Sequence, residues 1–181
     1  NTGTLLINDT TIVISSTFSQ FSEAGDWQIV RVYLEDQVGN KTYIYTSALT
    51  NSGFPTDLHV ISVSDVTPPT IQSLTFSPDT INTTNSSQTV VTTIRVTDDL
   101  SGVRYARVYF DPPSGGEDVA DYFNTGTLLI NDTTIVFSLT FPQFSEAGDW
   151  QVNSVWLQDQ VGNTTQIWTD SLTALGFPTD L

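Results

Sequence analysis

Apolar and polar residues alternate with a period of two along most of the chain, the signature of strands with one buried face. The pattern predicts strands over Ile71 to Ser77, Thr89 to Thr97 and Val103 to Phe110, a weaker pair near Val119 to Phe123 and Thr127 to Ile130, then Thr133 to Phe141, Trp150 to Gln158 and Thr164 to Thr169. Turn formers punctuate these runs: Asp98-Asp99-Leu100-Ser101-Gly102 after the second and Pro112-Pro113-Ser114-Gly115-Gly116 after the third. Short strands separated by such signals predict a β-sandwich. One helical turn is expected over Asp170 to Gly176, capped by Asp170 and stopped by Gly176. His59-Val60-Ile61-Ser62-Val63 alternates as a strand, and Ser64-Asp65-Val66-Thr67-Pro68-Pro69 reads as a linker that its prolines stiffen.

Comparison of the chain with itself changes the picture. Residues 1–58 align with residues 124–181 at an offset of 123, with 43 of the 58 pairs identical and 15 different. Residues 59–123 have no partner. This is the behaviour of an array of modules, with a boundary expected near Val66. Residues 1–66 then hold the later part of one module plus linker, and 67–181 hold a second. On this expectation the first module lacks its leading strands, the second lacks its terminal strand, and further repeats flank both.

Composition supports all-β. Ser and Thr number 47, and Glu, a helix former, numbers only four against 16 Asp. The net charge of -15 repels phosphate backbones and argues against a nucleic-acid partner. No apolar run is long enough for a membrane helix. With no Cys and one His, disulfides, thiol chemistry and histidine-based triads are excluded.

The runs DVTPPTIQSLTFSP, TVVTTIRVTDDLSGV, FSEAGDW, DQVGN and GFPTDL resemble the bacterial immunoglobulin-like repeats of very large cell-surface and secreted proteins. The resemblance spans the whole chain. It implies tandem immunoglobulin-like sandwiches in an extracellular adhesin, stalk or filament, whose partners are neighbouring repeats or identical subunits. The same module type also serves as a spacer beside catalytic domains.

The candidate chemistry lies in loop carboxylates. Antiparallel alternation brings the start of the first strand, the loop after the second and the loop before the last strand pair to one end of a sandwich. Those places hold Asp65, Asp98 with Asp99, and Asp159 with Asn163. Such an oxygen-only set suits Ca²⁺, while Asp and Asn also make tight turns without any ion. In DQVGN, Gly39 and Gly162 are expected at positive φ. A second acidic group, Asp111, Glu117, Asp118 and Asp121 around the PPSGG loop, is of the residue type that hydrolyses glycosides. An edge hairpin offers no cleft for it, so no enzyme is expected.

Trp27 and Trp150 follow Gly-Asp at the same strand start and are expected as core anchors. Trp156 and Trp168, which replace Tyr33 and Tyr45, are expected on half-exposed faces. They carry the alternative reading, a carbohydrate-binding module with surface glycans as partners. Among six Asn-x-Ser/Thr sequons, Asn82 and Asn85 in the NTTNSSQ turn are the glycosylation candidates. A further expectation is head-to-tail assembly, with segment 59–63 filling the open groove of a neighbouring chain.

Overall fold

The computed structural model describes residues 9 and 11–181. Its elements follow the period-two pattern. In the first part of the chain they are β1 (Gly25–Gln28), β2 (Arg31–Glu35), β3 (Lys41–Tyr45), helix α1 (Thr46–Asn51) and β4 (Asp57–Val60). Then come β5 (Thr70–Ser77), β6 (Gln88–Thr97), β7 (Val103–Asp111), β8 (Val119–Asn124), β9 (Asp132–Phe141), β10 (Gln151–Asp159), β11 (Thr164–Trp168) and helix α2 (Thr169–Ala174).

Residues 70–168 form two antiparallel sheets, one ordered β5-β6-β9 and the other β11-β10-β7-β8. Alternate residues of each sheet point at the other and share one core. Leu74, Ile94, Ile135, Phe137 and Phe141 come from the first sheet, and Val108, Phe110, Val155 and Leu157 from the second. Phe110 meets both Phe76 and Phe141 edge-on, with ring centroids 5.6 and 5.9 Å away. Each fully buried side chain of this size stabilises the fold by about 1.5–3 kcal/mol. Leu172 of α2 closes one margin of the core.

Three expectations change. Thr127 to Ile130 is not a strand. Leu128 and Leu129 are both exposed, so the alternation fails there. The segment instead crosses from β8 to β9, anchored where Val103 N–H donates to the Ile130 carbonyl (2.9 Å). The strand placed at residues 59–63 ends at Val60, because Ile61 and Val63 face solvent. Asp170 does not cap α2: Trp168 holds the N-cap position without a side-chain bond, and Asp170 lies in the first turn. The stop at Gly176 holds, with φ +80.

Identical sequence adopts the same local geometry in both copies. Phe21 and Phe144, 123 residues apart, have φ 67 and 66. The indole N–H of Trp27 donates to the Glu23 carbonyl (2.9 Å), and that of Trp150 to the Glu146 carbonyl (3.0 Å). Phe18 lies edge-on to Trp27 at 5.1 Å, and Phe141 edge-on to Trp150 at 5.0 Å. Burial differs. Trp150 is a core anchor, 7% exposed, as expected, whereas Trp27 is 41% exposed and is not. Trp150 lies under the β5-β6-β9 sheet, and no such sheet covers Trp27 among the described residues.

The segment after α2 returns to the sheet. Val152 N–H donates to the Thr179 carbonyl (2.7 Å), and Trp150 and Leu181 exchange two bonds. This is the place that β4 takes beside β1 in the first copy, where Gly25 pairs Val60.

Candidate metal centre

Three carboxylates from distant segments meet at one end of the two-sheet unit. Asp65 comes from the linker before β5, Asp98 from the turn after β6 and Asp159 from the end of β10. All three are buried, and one oxygen of each lies within 4.8 Å of the others. No other such group of three occurs among the described residues.

Local turn chemistry aims each one. Asp159 accepts the backbone N–H groups of Val161, Gly162 and Asn163 on one oxygen, at 3.0, 2.6 and 2.8 Å. That turn needs Gly162 at φ +102, and Gly39 in the equivalent Asp36 turn sits at φ +91, as the sequence predicts. Asp98 accepts from Leu100 and Gly102 (3.2 and 2.6 Å) on one oxygen. Asp65 accepts from Thr67 (3.1 Å) and from the Ser101 N–H (2.8 Å), so the linker is tied to the β6–β7 turn. The Asp65 N–H donates to the Phe21 carbonyl (3.1 Å), which also ties the linker to the first copy.

Gly102 fixes the approach of the turn to the β8–β9 crossover. It has φ +87, and a Cβ there would lie 2.6 Å from the Ile130 backbone nitrogen. Only glycine meets both demands without strain.

Two oxygens in this cluster lack a protein partner although buried: the second carboxylate oxygen of Asp98 and the hydroxyl of Ser101. Ser101 is fully buried, and its side chain faces the Asp65 carboxylate, whose pKa it lowers. Orphaned buried polar atoms are rare and costly, about 1–3 kcal/mol each. The charges add to this. At 4.8 Å and an effective dielectric near 20, each pair of carboxylates repels by about 3.5 kcal/mol.

The two affected carboxyls shift in opposite directions. Burial pushes Asp65 up, but the facing Ser101 hydroxyl, which lies near without completing a hydrogen bond, and the bonds from the Thr67 and Ser101 N–H groups and the Thr67 hydroxyl outweigh it and hold the group below the usual carboxylate range. Burial pushes Asp98 up, the N–H groups of Gly102 and Leu100 pull it down, and the charges of Asp65 and Asp159 push it up again. The net result lies above the usual range.

The donor set fits a hard divalent cation. Three carboxylates and a hydroxyl offer only oxygen, and Ca²⁺ takes oxygen ligands at about 2.3–2.6 Å, so donors up to about 5 Å apart share one ion. The same set suits Zn²⁺ or copper poorly, since no nitrogen or sulfur is present.

Of the residues singled out by the sequence, Asp65, Asp98 and Asp159 converge. Asp99 does not: it is exposed and accepts a hydrogen bond from the Thr67 hydroxyl. Adjacent residues of an extended chain point apart, so only one of this pair can face inward. Asn163 is present as a clamp, its amide N–H₂ donating to Asp159 (2.6 Å) and to the Asp65 carbonyl (3.2 Å). Ser101 and Gly102 were not singled out as part of the site. Their signal was the DDLSG turn, whose serine looked like an ordinary turn residue.

The remaining candidates lie elsewhere. Asn82 and Asn85 are exposed in the loop between β5 and β6. Asp111, Glu117, Asp118 and Asp121 form no three-carboxylate cluster. Asp111 instead accepts a bond from the Asn153 amide. Trp156 and Trp168 share the outward face of the β11-β10-β7-β8 sheet but line different hollows. Trp156 lies with Tyr105 and Arg107, and Trp168 with Asp170 and Asp180. No family model, curated protein or solved structure matches the chain.

Proposed function

We propose that this chain is a non-enzymatic structural segment, built of tandem immunoglobulin-like modules, that spaces or assembles an extracellular or cell-surface protein such as an adhesin, stalk or filament. Ca²⁺ at the Asp65–Asp98–Asp159 centre stiffens the junction between modules. The observation that carries the reading is the buried carboxylate of the linker itself. Asp65 joins two loop carboxylates of the second module while its N–H is bound by Phe21 of the first. An ion held there restrains both modules at once. The internal repeat supports an array, and the face-to-face sheets support a sandwich module.

The test is thermal unfolding of the whole chain with calcium and with excess chelator. Calcium raises the melting temperature and lowers the flexibility seen by small-angle scattering. Identical melting in both conditions refutes the metal. Head-to-tail strand pairing between chains belongs to the same reading, and a strictly monomeric chain in light scattering at high concentration refutes that part.

A further inference from the structure

The outward face of the β11-β10-β7-β8 sheet has a composition unlike the rest of the molecule. At the centre of the face each of its four strands turns three side chains outward, and none of these twelve is Asp or Glu, in a chain with 20 acids. Asp111, at the end of β7, is an acid at its margin and accepts a bond from Asn153. One row across the sheet reads Gln166, Trp156, Arg107, Tyr122. In neighbouring rows Tyr105 lies with its ring centroid 6.3 Å from that of Trp156, and the Arg107 guanidinium sits 4.5 Å above the Tyr109 ring. Arg104 leans over Tyr105 at 5.4 Å. Tyr105, Arg107, Tyr109, Tyr122, Trp156 and Gln166 line a shallow, open groove.

The hairpin β2–β3 presents the equivalent face in the first copy. There Arg31 stacks over Tyr43 at 5.6 Å, and Tyr33 lies 5.0 Å from Tyr43. Of the five cations in the chain, Arg31, Lys41 and Arg107 occupy these outward positions, whereas the acids that do are Glu35 and, at the margin, Asp111.

The two copies diverge on this face. Arg31, Tyr33, Glu35, Lys41, Tyr43 and Tyr45 all differ from their counterparts at 154, 156, 158, 164, 166 and 168, and these are six of the 15 differences. The intervening inward residues Val32, Leu34, Thr42 and Ile44 are all unchanged. Exposure alone does not produce this. Gln20, Glu23 and Gln28 are exposed, as are Gln143, Glu146 and Gln151, and those pairs are identical. A face that changes its polar groups yet keeps an aromatic ring at 33/156 and at 45/168 behaves as a recognition surface.

We propose that this sheet face binds a carboxylate-bearing oligosaccharide, and that each module carries its own variant of the surface. Flat rings suit the apolar faces of pyranoses, and the Gln166 and Gln158 amides suit their hydroxyls. The centre of the face in the second module, where Arg107 stands among rings and amides with no acid beside it, complements a sugar carboxylate. Charges farther away than about 8 Å are screened at physiological salt, so the local face sets the sign that a ligand meets. A nucleic acid needs many phosphate contacts, more than these few cations supply, whereas a sugar acid needs one.

The experiment is an array holding uronate and sialylated oligosaccharides beside their neutral, esterified or desialylated counterparts, probed with the whole chain in calcium-free buffer so that ion bridging cannot imitate binding. Retention on one acidic class and at least about tenfold weaker retention on its neutral counterpart is expected. Trp156→Ala weakens binding at least about tenfold, and Arg107→Gln removes the preference for the acid form, both with unchanged melting curves. No retention on any acidic sugar, equal retention on acid and neutral forms, or undiminished binding by Trp156→Ala overturns the proposal. So does a signal traced to self-association or to a proline-rich peptide on the same face.

Discussion

Asp98→Asn separates a cation centre from a set of turn caps. Asparagine keeps the shape, and its carbonyl oxygen still accepts the N–H groups that Asp98 receives from Leu100 and Gly102. What it removes is the charge facing Asp65 and Asp159. In calcium-free protein that change costs no stability, because the carboxylate is held above its usual pKa by burial and by its two neighbours. The folded chain already disfavours the charge. In calcium the outcome reverses. Extracellular modules bind Ca²⁺ with Kd of about 10⁻⁴–10⁻³ M, so 10 mM calcium stabilises the native form by about 1.4–2.7 kcal/mol. For a module of this size that is roughly 5–10 °C in Tm. Differential scanning calorimetry of both proteins, with calcium and with chelator, reads the difference directly. The native chain shows the shift, and Asp98→Asn shows little of it while melting no lower in chelator. If both proteins respond equally to calcium, or if the variant melts lower in chelator, the carboxylate is a turn cap and the metal reading fails.

Other outcomes follow from the same geometry. Gly102→Ala forces a Cβ to 2.6 Å from the Ile130 nitrogen at φ +87, and it costs about 2–4 kcal/mol from left-handed strain and a weakened Val103–Ile130 bond, as read by urea unfolding. Leu157→Ala costs about 2–5 kcal/mol, whereas Leu34→Ala, the same residue of the first copy but 49% exposed against 0%, costs well under 1 kcal/mol; similar costs refute the difference in packing. In calcium-free protein Tm peaks near pH 4. Asp65, held low, loses its contribution as pH falls below about 3.9. Asp98, held high, keeps its proton in the folded state, so stability falls as pH rises from about 3.9 through its raised value. A Tm that climbs steadily from pH 3 to pH 7 refutes this.

Strand content, the limits of the seven strands β5 to β11 to within about a residue, the helical turn and the glycines of DQVGN were legible because each follows from local rules: alternation, turn chemistry and backbone freedom. The strands expected at 59–63 and 127–130 were not, because residues 61–63 and 127–130 have no partner edge among the described residues, which alternation alone does not reveal. The carboxylate cluster was legible in outline, since antiparallel order alone brings those loops to one end. That Asp98 and not Asp99 faces inward was not legible, and neither was the part of Ser101. Both depend on how the DDLSG turn lies against Ile130 and Asp65, contacts 28 or more residues away in sequence.

The repeat makes the division explicit. Val32, Leu34 and Ile44 are identical to Val155, Leu157 and Ile167, and both sets form the inward side of the same hairpin. The sequence by itself determined that hairpin, its register and which side is apolar. Whether that side is core was decided by tertiary structure alone. Leu157 is fully buried because β6 and β9 lie across from it, and Leu34 is half exposed where, among the described residues, no second sheet does. Alternation specifies a face that prefers to leave water. Burial, and the free energy that comes with it, needs a second surface, and the strand does not encode which one.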